Sequence, residues 1–455
     1  MTRHAWVRLD NASNIFLAAR SDADPKVFRI FAELDHEVDR DLLQDALDEV
    51  YDQYPLYHAV LRRGVFWHYL QDSDLRPQVT GEDLHTCAPL YQPHRRTLLF
   101  RVIHHRRRIN LEIFHALSDG TGALWFLTDL INAYLRRRDT PDTPETPARA
   151  AVHELAPDSF AEYFRHPAEG SPGELLLESD AQTVASGQEK RTKKRRRDSR
   201  SVFRVQGTRT PDHRTRLIEL TLSGSELARQ AKAEGVSLTM LLIALFFESV
   251  RLGSGGLGRS RTLSVSVPVN LRQFFPSTSA RNFFATVRLE HNYGEGADDL
   301  AAIARGLEEQ FALKASASAL DTRLRRFVRF ERMPLLRVVP RPLKDGLLRL
   351  INWANNRGLT VAISNLGRVV LPAEAESRVG RMGFHVSAVR PQFCAMSHGS
   401  QMTVSFTSPF METDHVREFA QMLTQRGLDV SVAAARASEE ELGDGNRDGL
   451  REVGA

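Results

Sequence analysis

Residues 176–200 divide this chain. Hydrophobic residues thin out there, and the stretch ends in EKRTKKRRRDSR, where eight of the eleven residues from Lys190 to Arg200 are Lys or Arg. A segment so charged and so poor in apolar side chains cannot bury enough surface to fold on its own. The chain is 455 residues long, more than one core usually organises. The division therefore reads as a first lobe over 1–175, a basic flexible linker over 176–201 and a second lobe over 202–435. The tail 436–455 is acidic, polar and Gly-containing, and is expected to be disordered.

Each half mixes strand and helix patterns. Residues 26–34 (KVFRIFAEL) alternate and read as a strand; Asp39 is placed to cap the helix that follows, and Pro55 ends it. Two short strands flank Gly64. Residues 97–104 and 109–114 read as a hairpin through a basic turn, and TGALWFLTDLINAYLRR as an amphipathic helix behind it. Residues 139–175, rich in Pro, Thr, Glu and Ala, read as loop. In the second half, strands are expected over HRTRLIELTLS, 262–272, 280–293, 359–369, GFHVSAVR and QMTVSFTSP. Ser223 or Ser225 can cap the helix that Gly235 stops, VSLTMLLIALFFESVRL reads as a buried helix, and further helices fall at 298–315, partly over 322–350, and at METDHVREFAQMLTQRG. Without regular βαβ alternation, this predicts two α+β lobes with mixed sheets.

The two cysteines, Cys87 and Cys394, exclude a disulfide framework and fit a reducing compartment. The N-terminus lacks the apolar core of a signal peptide, and the longest apolar run is too short to span a bilayer. A cytoplasmic protein with no transmembrane segment is expected. A net charge of +4 does not suggest nucleic acid, and the basic run lacks interleaved aromatic residues.

The chemistry-bearing stretch is FHALSDG, residues 114–120, between the second hairpin strand and the helix. A histidine on a turn after a strand is placed to enter a cleft, and its pKa near neutrality suits a general base. Asp119 could bond the ring or hold the turn. Gly120 permits an unusual backbone conformation or a close approach. Ser118 is not in a nucleophile elbow, so a serine triad is not supported. Taken alone, the pattern is also compatible with a plain turn. His104, His105 and His115 share no convincing metal-ligand geometry, and no metal is expected; His291, His385 and His398 read as structural.

With its context, the sequence resembles the acyl-CoA-dependent acyltransferase superfamily, which includes chloramphenicol acetyltransferase, condensation domains and BAHD acyltransferases. The resemblance lies in His115, Asp119 and Gly120 on the His-x-x-x-Asp-Gly signature, in VPVNLRQFFP followed by RNFF, and in ISNLGRV. It covers residues 7–430 or so and is closest to the alcohol acetyltransferase branch. Phe114 stands where some members carry a first histidine, which weighs against a condensation domain.

The resemblance implies two chloramphenicol acetyltransferase-like lobes with an active-site tunnel between them. It implies His115 as general base, Asp119 and Gly120 as structural parts of its turn, and Arg272 as the partner of Asp119 across the lobes. Asn270 reads from its position as a strand-end structural residue, with orienting Arg272 as the alternative. Ser364 and Asn365 are candidate oxyanion donors. No permanently bound cofactor is implied; acyl-CoA is the co-substrate, or an acyl carrier protein thioester takes its place, and an alcohol or amine is the acceptor. A monomer is expected. The alternatives are a carrier-dependent, condensation-like enzyme and a non-catalytic binding or scaffold protein that keeps the fold. The arginine-rich stretch 323–357 reads as a surface helix with snorkelling arginines, or as a basic rim attracting an anionic thioester.

Overall fold

The computed structural model describes residues 6–65, 67–93, 95–139, 159–164, 201–210, 214–258, 261–331 and 341–435. The linker over 176–200, with its basic run, and the tail 436–455 lie outside the described residues, as does most of the stretch read as loop over 139–175.

The first half runs β1 (Trp6–Arg8), α1 (Asn11–Ala19), β2 (Val27–Leu34), α2 (Arg40–Asp52), β3 (Val60–Arg63), β4 (His68–Gln71), β5 (Thr80–Gly81), β6 (Phe100–His105), β7 (Arg108–Phe114), α3 (Gly120–Asp139) and α4 (Ser159–Phe164). Asp39 caps α2 as expected, its carboxylate accepting from the N–H groups of Asp41 and Leu42 at 2.9 and 3.0 Å. The hairpin β6–β7 turns at Arg106, which takes a positive φ of 50°.

The second half contains β8 (Arg216–Ser223), α5 (Gly224–Ala233), α6 (Leu238–Gly253), β9 (Thr262–Asn270), β10 (Phe284–Asn292), α7 (Leu300–Lys314), α8 (Ala317–Glu331) and α9 (Arg341–Arg357). It continues through β11 (Val361–Val369), β12 (Val379–Val386), β13 (Gln392–His398), β14 (Gln401–Ser408), α10 (Asp414–Gln425) and β15 (Ser431–Ala434). Ser223, not Ser225, caps α5, and Gly235 beyond its end takes a φ of 73°. Helix α6 is buried on nearly every side, which is why its sequence carries no polar stripe.

Two mixed sheets carry the lobes. One has the order β12-β2-β7-β6-β5 and the other β10-β9-β11-β13-β14-β8-β15; a small sheet, β1-β4-β3, flanks the first. The α+β class and the mixed sheets agree with the sequence reading.

The division into 1–175 and 202–435 needs correcting in two places. Strand β12 crosses from the second half to pair along the edge of β2, from Val379 opposite Leu34 to Val386 opposite Phe28. Conversely, Phe160 and Phe164 of α4 pack in the second core, against Phe275 and Phe283. Each lobe therefore holds a piece of the other. The exchange follows from burial: Met382 and Phe384 complete the first core, and Phe160 and Phe164 complete the second.

Candidate active site

Strand β7 ends at Phe114 and helix α3 begins at Gly120, so His115 to Asp119 form the turn between them. The turn is fixed at both ends. The His115 N–H donates to the Lys26 carbonyl at 2.8 Å, and the Leu117 N–H to the Phe114 carbonyl at 2.8 Å. Asp119 opens the helix: its Oδ1 accepts from the Gly122 N–H at 2.9 Å, and its carbonyl accepts from Ala123 at 2.9 Å. An aspartate suits this position because it satisfies N–H groups that the first turn leaves unpaired.

The other carboxylate oxygen reaches across the lobes. Asp119 Oδ2 accepts from Arg272 Nη1 at 2.7 Å and from the Phe283 N–H at 2.8 Å. Arg272 Nη2 donates to the carbonyls of Ser279 and Arg281, both at 2.7 Å. Each side chain of the pair is 7% exposed, so neither charge has water to fall back on. Asn270 Oδ1 accepts from the Arg272 N–H at 3.0 Å, and its Nδ2 donates to Thr121 Oγ1 at 3.3 Å, which places the arginine and ties β9 to α3.

Two glycines let the lobes close on this turn. A Cβ on Gly122 would lie 2.2 Å from the Ala280 carbonyl oxygen and 2.5 Å from Ser118 Oγ, which itself donates to that carbonyl at 2.5 Å. A Cβ on Gly120 would lie 2.6 Å from Leu366 Cδ2. Of the two sequence readings of Gly120, close approach is the one the structure supports.

The His115 ring sits among three phenylalanines. Phe16 of α1 stacks on it at 3.9 Å between centroids and 13° between planes, Phe28 meets it edge-on at 4.9 Å, and Phe284 lies at 5.8 Å. Burial pushes the imidazole down to about 4, against the opposing pull of its own backbone carbonyl, of the Asp119 charge and of Asn282. The residue keeps partial exposure, while Nδ1 is enclosed and without a hydrogen-bond partner among the described residues. Such a ring is neutral at physiological pH.

Three contributors were not singled out from the sequence. Asn282 donates through Nδ2 to the His115 carbonyl at 2.8 Å and to Ser13 Oγ at 3.0 Å. Arg281, next to it, bonds Asp10 Oδ2 at 3.1 Å, and Asp10 caps α1. Together they fasten α1, and with it Phe16, over the histidine. The signal available was RNFF, read only as a likeness.

Phe114, at the place of the missing first histidine, is fully buried and stacks on Tyr91 at 5.6 Å, so that position belongs to the core. Asn365 is engaged in its own strand. Its Oδ1 accepts from the Gly367 N–H at 2.8 Å across the bulge in β11, where Gly367 takes a φ of 74°, and its Nδ2 donates to Thr239 Oγ1 at 2.9 Å. Ser364, half-buried one position earlier, has no such engagement among the described residues. Leu366 on the same strand brings β11 against Gly120. A cavity of about 610 Å³ lies between the lobes, walled in part by Arg29, Arg108, Glu219, Arg381 and His385. His115 is not one of its walls, so it does not trace the tunnel expected at the histidine.

No family model matches this sequence, and no curated protein matches it. Solved structures do. The TRI3 trichothecene 15-O-acetyltransferase of Fusarium sporotrichioides aligns over 93% of this chain and 95% of its own, at 12% identity and a TM-score of 0.60. The first condensation domain of the CDA synthetase aligns over 92% and 95%, at 15% identity and a TM-score of 0.59. The chain shares the fold of these acetyltransferase and condensation-domain structures. A further match is the starter condensation domain of rhizomide synthetase, solved as a mutant with C8-CoA and Leu-SNAC: 13% identity, a TM-score of 0.57, and 92% and 94% coverage. Among the described residues, no single helix is long and apolar enough to cross a membrane.

Proposed function

We propose that this chain is an acyltransferase that moves an acyl group from acyl-CoA to a hydroxyl acceptor, with His115 as the general base. The observation that carries the reading is the Asp119–Arg272 ion pair, which holds the His115 turn from the opposite lobe.

In the reaction, Nε2 of the neutral imidazole takes the proton of the acceptor hydroxyl as its oxygen attacks the thioester carbonyl. The tetrahedral intermediate forms with negative charge on the former carbonyl oxygen. Collapse expels the CoA thiolate, which takes up the proton held on Nε2, and the ester leaves. No acyl-enzyme is needed. The oxyanion requires a preorganised donor. Of the two candidates on β11, the Ser364 hydroxyl is the freer, because one N–H of the Asn365 amide is committed to Thr239. Asp119 and Arg272 act through the turn and do not exchange protons with substrate.

Condensation domains share the fold at similar TM-scores, so a carrier-bound thioester is the competing donor. The test is release of free CoA from acetyl-CoA in the presence of a panel of alcohols, followed with a thiol reagent. His115→Ala, verified as folded by circular dichroism, should lose about 10²–10⁴-fold in rate. Undiminished activity in His115→Ala overturns the mechanism, and transfer from carrier-bound but not CoA-bound acyl groups overturns the choice of donor.

A further inference from the structure

Helix α9 is built inside out. Its half-buried positions Lys344, Leu348, Asn352 and Asn356 recur every fourth residue and so share one face, with Asp345 beside them. Three of those four are polar. The apolar residues lie on the opposite face: Leu343, Leu347, Leu350 and Ala354 follow the i, i+4, i+7, i+11 spacing and are exposed. Leu343 is 66% exposed, Leu350 60% and Trp353, at the edge of the stripe, 55%. An ordinary surface helix turns its leucines inward, because leaving them in water forfeits their transfer free energy.

The inner face is held by specific polar contacts, so its orientation is not accidental. Lys344 Nζ sits over the Trp67 ring at 3.6 Å, and the guanidinium of Arg8 over the same ring at 3.3 Å. Arg349 Nε donates to the Ala18 carbonyl at the end of α1 at 3.3 Å. The helix is thus pinned beside the hairpin β3–β4, whose tip exposes Arg62, Arg63 and Val65.

We propose that this face of α9 docks on an anionic lipid bilayer surface. Charge and shape choose this occupant. Among the described side chains of α9, Arg357 is the charge beside the apolar stripe, Arg349 lies at the boundary and reaches back to α1, and the one acid, Asp345, lies on the inner face. Arg357 stands over the Trp353 ring at 4.6 Å, pairing a cation with an indole at the edge of the apolar stripe. Leucines exposed to this degree form a ridge. A partner helix or peptide asks for a groove, whereas a bilayer interface accepts an apolar ridge with a tryptophan and cations beside it. The helix lies on the membrane and does not cross it. Because α9 packs on α1, which carries Phe16, binding would bring the lipid surface to the side of the molecule from which His115 is covered.

The proposal does not depend on acyl transfer, and its test reads no activity. The full chain should co-sediment with vesicles containing phosphatidylglycerol, more weakly with pure phosphatidylcholine vesicles, and salt should weaken the binding without abolishing it. The double substitution Leu347→Glu/Leu350→Glu should lower partitioning on the order of a hundredfold while leaving the melting temperature unchanged, since both side chains already face water. Trp353→Gln, a single surface change, should lower it about tenfold and decides independently if the double variant does not fold. Binding that survives both changes would place the attraction in the Lys190–Arg200 run and overturn the proposal. Absence of vesicle binding, with or without capture of an acidic carrier protein by the same face, also overturns it.

Discussion

Phe16 lies flat against His115, with ring centroids 3.9 Å apart and planes within 13° of parallel. The stack does two things. It fixes the imidazole plane, and it keeps water from one face of a ring whose pKa burial has already pushed down to about 4.

That environment sets a pH dependence. The acid limb of kcat/KM reports the free enzyme, and it should fall near pH 4, not near the 6.5 of an unperturbed histidine. Phe16→Ala opens the ring to water and should move the limb upward toward 6.5, with a lower plateau because the ring loses its orientation. A pH–rate profile of both proteins checks this. An unmoved limb in Phe16→Ala would mean that Phe28 and Phe284 supply the desolvation without it.

The Asp119–Arg272 pair predicts coupling between stability and rate. Removing either partner leaves a buried charge alone, at a cost of about 3 kcal/mol or more. Asp119→Ala also removes the cap of α3, worth about 1 kcal/mol. Both single variants, Asp119→Ala and Arg272→Met, should therefore unfold at lower denaturant and lose rate together. The double variant should be less destabilised than the sum of the two, a positive coupling read by a double-mutant cycle in urea. Strict additivity would show that the pair is not an energetic unit.

Much of this site was legible because its residues are local. His115, Asp119 and Gly120 lie within six positions on a strand-to-helix turn, and the periodicity on either side located them. Arg272 was reached by likeness, and the structure supplies its distance. What escaped was fixed by distant packing. Helix α1 is held over the site by Arg281 and Asn282, some 270 residues away, and no local pattern encodes that. Strand β13 was missed because it lies in mid-sheet between β11 and β14, with Phe393 to Met396 all buried, so no alternation marks it. The exchange of β12 between the lobes was hidden for the same reason: a strand's sequence does not name the sheet it joins.

A second pH effect concerns stability. Burial pushes His415 at the start of α10 down to about 4, against the pull of Asp414. The folded state therefore binds fewer protons than the unfolded state between pH 6.5 and 4. Stability must fall as pH falls through that window and be unaffected above it. His415 alone should remove on the order of 2 kcal/mol by pH 4.5. His115 acts in the same direction. Thermal melts at pH 7 and pH 4.5 should show the loss, and His415→Asn should reduce it. Equal pH sensitivity in that variant would assign the acid lability to other groups.

The last prediction separates two glycines of the motif helix. Both sit where the lobes meet, but they face different atoms. A methyl at Gly122 would drive into the Ala280 carbonyl at 2.2 Å and displace Ser118 Oγ, which bonds that same carbonyl. Backbone cannot rotate away, so relief requires α3 to part from the segment before β10. Gly122→Ala should cost about 2 kcal/mol or more and reduce activity sharply, because the same parting stretches Asp119 from the Phe283 N–H and from Arg272. A methyl at Gly120 meets only the end of the Leu366 side chain, at 2.6 Å, and a leucine can change rotamer. Alanine at the first position of a helix also recovers some of the entropy that glycine loses on folding. Gly120→Ala should therefore be the milder variant in melting temperature, with its effect on rate set by how far Leu366 shifts β11. Chemical denaturation and CoA-release assays on the two variants test the contrast, and the reverse order would mean that Gly120, not Gly122, is where the lobes close most tightly on the histidine turn.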